Sequence, residues 1–195
     1  MTVKSPFPPA AIALIREAFA RRPDKIRDLA LFELGISVAL RASDLVRLTV
    51  RDVTLGNGTV RDRITLKQTK TATPVTVALS ERARAALAAL IARDAISGDT
   101  PLFRREDQRG PSVEAITPKT LRLLVKVWGC DWAGLDPSAI SSHSLRKTRP
   151  AAMYAQNKDI AQVQRLLGHS SPANTAKYLG IAEEDAVNAA LAFDL

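Results

Sequence analysis

HSLRKT at residues 143–148, followed by LLGHSSPANTAKYLGI at 166–181, is the stretch on which the reading of the whole chain turns. It holds both histidines of the chain, His143 and His169, and one of its two tyrosines, Tyr178. Arg146 stands three residues beyond His143, and Tyr178 nine beyond His169. From His143 onward the sequence reads as helix almost to its end, with Gly168 as one stop and Ser171-Pro172 as one restart. Pro150 interrupts this pattern: outside the first turn of a helix it lacks a needed amide donor and kinks or delays the helix.

Outward from this stretch, the rest of the chain reads as more helix around a small sheet. Residues 1–9 contain three prolines and form an extended arm, and residues 10–21 a helix with Pro8 and Pro9 near its start. Asp24 is the expected cap of a second helix reaching Leu40, with Leu29, Phe32 and Ile36 on one stripe. Ser43 is the expected cap of a short helix, SDLVRL. Residues 59–66 and 74–79 alternate apolar with polar and are rich in Val, Ile and Thr, as two antiparallel strands are, with KQTKTAT as the polar turn between them. Residues 50–53 are a candidate third strand. Helices are expected from Ser80 to Asp94 and from Thr117 to Gly129, separated by a loop over 97–116.

The 195 residues suit one globular domain, and 46% are hydrophobic, many of them Ala and Leu. The expected fold class is therefore mixed: mainly α with a small antiparallel β-sheet. The formal net charge of +8 points to a polyanionic partner, nucleic acid before membranes or acidic proteins, and predicts salt-sensitive binding. A lone cysteine, Cys130, rules out an intramolecular disulfide and reads as a small apolar filler. One Cys and two His do not assemble a structural zinc site. No segment approaches the ~18 apolar residues of a membrane span, and MTVKSPFPPA lacks the apolar core of a signal peptide. The expected location is cytoplasmic, at the nucleoid.

At this point a family resemblance becomes specific. Tyrosine recombinases of the phage integrase family carry a His-x-x-Arg motif, a second His within Leu-Leu-Gly-His, and a Tyr nine residues later; the chain resembles them at His143, Arg146, His169 and Tyr178. LGISVALRASDLVRLTVRDV at 34–53 resembles the family's first box, with Arg41 at its arginine and Asp44 at the acidic position three residues on. Lys70 lies in the hairpin turn, where the family places its catalytic lysine. The resemblance covers roughly residues 25–181. It implies the catalytic fold shared by tyrosine recombinases and type IB topoisomerases. It also implies double-stranded DNA as partner, self-association on DNA, a 3′-phosphotyrosine intermediate, and no metal or other cofactor. Larger members carry a separate helical DNA-clamping domain, whereas residues 1–24, an arm and first helix, are too few for an independent core. An accessory DNA-binding protein is thus a further candidate partner. Residues 182–195 read as an amphipathic helix that packs on its own domain or on a neighbouring protomer.

The chemistry can also be argued from the residues. Attack on a phosphodiester builds negative charge around phosphorus, and planar, permanently charged guanidinium groups are suited to hold it. Arg41 and Arg146 are the candidates. A phenol with a pKa of about 10 needs a base or nearby positive charge to become a nucleophile. His143 is the expected base, His169 a hydrogen-bond donor to the phosphate, and Lys70 the proton donor to the leaving 5′ oxygen. Asp44 is expected to orient a neighbouring Arg or His. No paired carboxylates of a two-metal site lie near these motifs, and no G-x-x-x-x-G-K-[ST] loop is present. Lys67, three residues before Lys70, and Tyr154, in the apolar stretch AAMYAQ, are the rivals for the lysine and tyrosine roles. Trp128 and Trp132 read as packing residues. Three functions fit this set: site-specific recombination, supercoil relaxation by the same chemistry, and a DNA-binding accessory protein that does not cut.

Overall fold

An extended arm and a proline-led helix start the fold. The computed structural model describes residues 4–107, 110–169 and 171–181. The expected C-terminal helix at 182–195 lies outside the described residues. The arm runs extended along the body, held by Ser5 N–H donating to the Ala139 carbonyl (3.0 Å) and Phe7 N–H donating to Thr148 Oγ1 (3.1 Å). Helix α1 (Pro9–Ala20) has proline at its first position, where no amide is missed, and buries Ala11, Ile15, Ala18 and Phe19. Its Arg16 grips Glu33 with two bonds of 2.7 and 2.9 Å, fastening α1 to α2 (Ile26–Val38). Helix α2 is buried along every position from Ala30 to Val38 and forms the centre of the domain. Its first turn follows Lys25 without a side-chain cap, so Asp24 does not take that role; Asp24 pairs with Lys25 instead.

Short elements follow where the sequence allowed two readings. Helix α3 (Ala42–Val46) is entered from Arg41 rather than Ser43. The expected strand at 50–53 is helix α4 (Val50–Val53). Thr49 and Asp52 form a reciprocal capping box there, with Thr49 N–H donating to Asp52 Oδ2 at 2.8 Å, and this closes a helical turn before the β-branched residues can extend. Strands β1 (Arg63–Lys67) and β2 (Pro74–Ala78) pair antiparallel, Ile64 opposite Val77 and Leu66 opposite Val75. β1 starts later than expected, because Val60 makes only an isolated bridge to Thr54. Helix α5 (Glu81–Asp94) is capped by Ser80, as expected, and packs on α2.

Within the expected loop at 97–116 lies a second hairpin, β3 (Arg104–Asp107) and β4 (Gly110–Ala115). Its strands carry charges in place of an apolar alternation. Ion pairs dock it: Arg93 to Glu106 at 2.8 Å, Arg104 to Asp94 at 3.0 Å and Arg27 to Glu106 at 3.5 Å. Helix α6 (Pro118–Lys126), capped by Thr117, runs into a π-helical turn at Val127–Trp132. That turn places Trp128 in an aromatic cluster with Phe19 and Phe32, ring centres 5.8 and 5.6 Å away. Trp132 stacks edge-on with Phe19 at 4.9 Å, so both tryptophans are packing residues, and half-buried Cys130 packs beside them.

The C-terminal third is three helices: α7 (Ser142–Asn157), α8 (Ile160–Leu167) and α9 (Pro172–Leu179). An unexpected break separates the first two, at Lys158 in the left-handed region (φ 56°) followed by the Asp159 cap. Pro150 sits in the interior of α7, not in its first turn. It cannot donate to the carbonyl four residues back, that of Arg146, which loosens the helix ladder at a site residue. Helix α7 packs on α2 and α8.

Candidate active site

Arg41 owes its position to a sharp exit from α2. Ala39 turns the chain through the left-handed region (φ 52°), and Arg41 then occupies the N-cap position of α3. Its guanidinium donates to Gln68 Oε1. Gln68 is buried at the end of β1 and serves as a hub: Thr71 Oγ1 donates to its Oε1 at 3.2 Å, and its Nε2 donates to the Leu167 carbonyl at 3.4 Å. The same carbonyl accepts Arg146 Nη2 at 3.3 Å. One glutamine thus links the first-box arginine, the hairpin turn and the end of α8.

Arg146 is buried in α7, and its Nη1 has no hydrogen-bond partner among the described residues. Burial, with Arg41 close by, pulls its pKa below the ordinary guanidinium value, while the Tyr178 and Asp44 sides oppose the shift. A buried guanidinium face held open in this way is a ready receptor for an anion. His143 stands in the first turn of α7, where Ser141 and Ser144 form the capping box, so the helix-cap role belongs to serine and leaves the imidazole available. Lys70, exposed in the β1–β2 turn, faces the same opening. Arg41, Ser43, Lys70, Arg122, His143 and Arg146 line one cleft of about 320 Å³.

His169 and Tyr178 lie behind Arg146. Gly168 ends α8 in the left-handed region (φ 66°), and a Cβ there would meet Val75 Cγ1 at 2.9 Å. That turn points His169 at α9, where its Nδ1 meets buried Thr175 Oγ1 at 3.1 Å. The His169 and Tyr178 rings pack edge to face, centres 5.5 Å apart. Tyr178 rests on the small cluster of Ala39, Val163 and Leu167. Its hydroxyl is shielded and lacks a hydrogen-bond partner of good geometry among the described residues. Burial pushes its pKa up to about 12, against the opposing pull of the neighbouring Arg146 and Arg41 charges. Both histidines move the other way. Burial lowers each, helped at His143 by Arg146, Lys147, Arg41 and Arg122, and at His169 by Arg146 and Arg41. Both shifts favour the neutral ring.

Asp44 makes no hydrogen bond to an Arg or His among the described residues. Its Oδ1 accepts Thr69 N–H at 2.9 Å and the Thr69 hydroxyl, tying α3 to the turn that carries Lys70. The rivals separate as well. Tyr154 packs in the same apolar cluster under the Lys158 ammonium, 5.3 Å from its ring centre, and Lys67 lies on β1, outside the cleft lining. Gln68, Arg122, Lys147 and Thr175 were not singled out from the sequence. Each is an ordinary polar residue there, and only packing brings it to the site. A larger hollow of about 710 Å³ lies among Asp24, Arg27, Arg93, Asp94 and Arg104. Among the described residues its charges neutralise one another in ion pairs such as Arg93–Asp94 at 2.6 Å, so they offer no comparable set of free cations.

The fold is that of tyrosine recombinase catalytic domains. The XerH site-specific recombinase in its pre-cleavage complex with difH substrate matches with a TM-score of 0.72 at 20% identity, over 97% of this chain and 55% of that one. The chain belongs to the phage integrase family, whose model matches residues 9–185. A probable integrase/recombinase, YoeC of Bacillus subtilis strain 168, is 32% identical over 164 residues, 84% of this chain and 82% of YoeC. The tyrosine recombinase XerD of Xanthomonas axonopodis pv. citri is 32% identical over 83% of this chain, which spans 53% of XerD. Among the described residues no helix is long and apolar enough to cross a membrane.

Proposed function

We propose that this chain cuts and rejoins double-stranded DNA through a covalent 3′-phosphotyrosine link, in site-specific recombination of the integration, excision or resolution kind. The observation that carries this reading is the convergence of Arg41, Lys70, His143 and Arg146 on one cleft, with Tyr178 packed behind Arg146. Arg41 and Arg146 hold the non-bridging oxygens of the scissile phosphate and meet the charge that develops in the transition state. Tyr178 Oη attacks phosphorus; the Oη–P bond forms and the P–O5′ bond breaks. The phenol proton passes to neutral His143, and Lys70 gives a proton to the departing 5′ oxygen. In the tautomer that carries its proton on Nε2, with Nδ1 accepting from Thr175 Oγ1, His169 donates to a phosphate oxygen. The reverse attack, by a free 5′-hydroxyl on the phosphotyrosine, reseals a strand. The buried hydroxyl and the high pKa of Tyr178 keep it a phenol until phosphate arrives.

The relatives are named integrases and recombinases, which favours exchange between sites over simple relaxation of supercoils. Exchange needs protomers paired across two sites, so self-association on DNA belongs to this reading, with an accessory DNA-binding protein as a further partner. Its place of action is the cytoplasm, at the nucleoid. In the test, protein is mixed with fragmented DNA from its source and a chelator, then denatured, and any DNA still attached to protein is recovered and sequenced. An adduct in wild type that is absent in Tyr178→Phe is the expected result, and the trapped ends identify the site. An adduct that persists in Tyr178→Phe overturns the nucleophile assignment and points to Tyr154. DNA binding without any adduct favours the non-cutting accessory role.

A further inference from the structure

Lys147 is a buried cation that the chemistry above does not use. It follows Arg146 in α7 and forms no ion pair among the described residues. Most of its side chain is covered, and burial holds its pKa below the ordinary lysine value. What faces it is an aromatic ring: Nζ lies 5.2 Å from the centre of Tyr178. That is within the range at which a ring quadrupole attracts a cation. A second contact holds the same ring, the edge-to-face packing of His169. The hydroxyl itself has no partner of good geometry among the described residues, so these two contacts to the ring help set where Tyr178 rests.

We propose that Lys147 is a positioning residue for the nucleophile: its ammonium holds the Tyr178 ring beside Arg146 and stabilises the phenolate as the proton leaves. The proposal rests on Tyr178 being the nucleophile. Lys147 does not line the cleft, and besides facing Tyr178 its charge helps lower the His143 pKa.

Two measurements on the full chain test it. The first needs no DNA. With tyrosine labelled by carbon-13 at Cζ, the chain gives two resonances, assigned through Tyr154→Phe. Lys147→Met should move the Tyr178 resonance and not that of Tyr154, and Lys147→Arg should restore it in part. A Tyr178 resonance indifferent to Lys147→Met overturns the contact, whether or not the protein cuts DNA. The second is the rate of adduct formation on the DNA fragments that wild type traps, with affinity for the same fragments measured alongside. Lys147→Met should slow the adduct about tenfold or more at unchanged affinity, and Lys147→Arg should stay within about threefold of wild type. A wild-type rate in Lys147→Met overturns the proposal and leaves the nucleophile assignment standing. A fall in affinity that accounts for the whole loss of rate also overturns it, because Lys147 would then be a DNA contact. Failure of wild type to form any adduct counts against the Tyr178 reading, and the resonance still decides the contact.

Discussion

Tyr178→Phe should abolish covalent chemistry while making the fold more resistant to alkali. The hydroxyl is buried without a partner of good geometry among the described residues, so its removal relieves an unmet polar group. At neutral pH the variant should match wild type or exceed it by about 1 kcal/mol. The advantage should then widen with pH. In the folded chain burial pushes the Tyr178 pKa up to about 12, from an ordinary value of 10.0. Between those values the unfolded chain has released its proton and the folded chain has kept it, so stability falls as pH rises through that window. A gap of two pH units costs wild type about 1.4 kcal/mol at pH 11 and roughly 2 kcal/mol at pH 12, a contribution that phenylalanine lacks. In a chain of this length 1 kcal/mol moves Tm by about 2–4 °C, so the difference in Tm should grow by about 3–6 °C between pH 8 and pH 11. Thermal melts of both proteins across that range measure it, and the titrations they share cancel in the difference. A difference that does not grow would refute burial as the origin of the raised pKa. A variant less stable than wild type by more than about 1 kcal/mol at pH 8 would show that the hydroxyl makes a net bond, with Arg146 the nearest candidate.

Other perturbations test neighbouring parts of the site. Arg122→Gln should reduce the slope of log affinity against log salt by about 1, uniformly across DNA sequences, as loss of one phosphate contact requires. Arg122 is also one of the cations, after burial, Arg146, Lys147 and Arg41, that lower the His143 pKa. Its removal should raise that pKa and move the acid limb of the cleavage pH profile to higher pH. Thr175→Val keeps the shape of the buried side chain but removes the partner of His169 Nδ1. Adduct formation should fall about five- to tenfold with little change in DNA affinity, measured by single-turnover trapping and by titration. Gly168→Ala puts a Cβ 2.9 Å from Val75 at a positive φ, which should cost about 1–3 kcal/mol in a denaturant titration. It should also disturb the hairpin that carries Lys70, so cleavage should drop more than binding.

Much of the chain was legible because its signals are local. Ser80 and Thr117 cap the helices that follow them, Gly168 ends α8, and Val and Ile alternate through the first hairpin. Each signal rests on interactions within a few residues of itself. The misreadings came where two local outcomes competed or where the holding force was remote. Residues 50–53 have strand-like side chains, but the Thr49–Asp52 box closes them into a helical turn. The second hairpin has no apolar alternation to announce it, because ion pairs to Arg27, Arg93 and Asp94 on other helices hold it in place. The break at Lys158 has no glycine or proline to mark it, and its left-handed turn is set by the packing of α8 against α7.

The same division runs through the active site. The sequence by itself determined the candidate reactive groups, since a tyrosine, two arginines, a lysine and two histidines in order and spacing are a property of the chain. It did not contain their surroundings. Only the tertiary structure set Gln68 between Arg41 and Leu167, turned Asp44 to the Lys70 turn, brought Arg122 to the cleft and laid Lys147 over the Tyr178 ring. Only burial drove the Tyr178 pKa up and the histidine pKa values down. Those effects depend on which groups exclude water from one another across distant segments, and desolvation and Coulomb forces act through space rather than along the sequence.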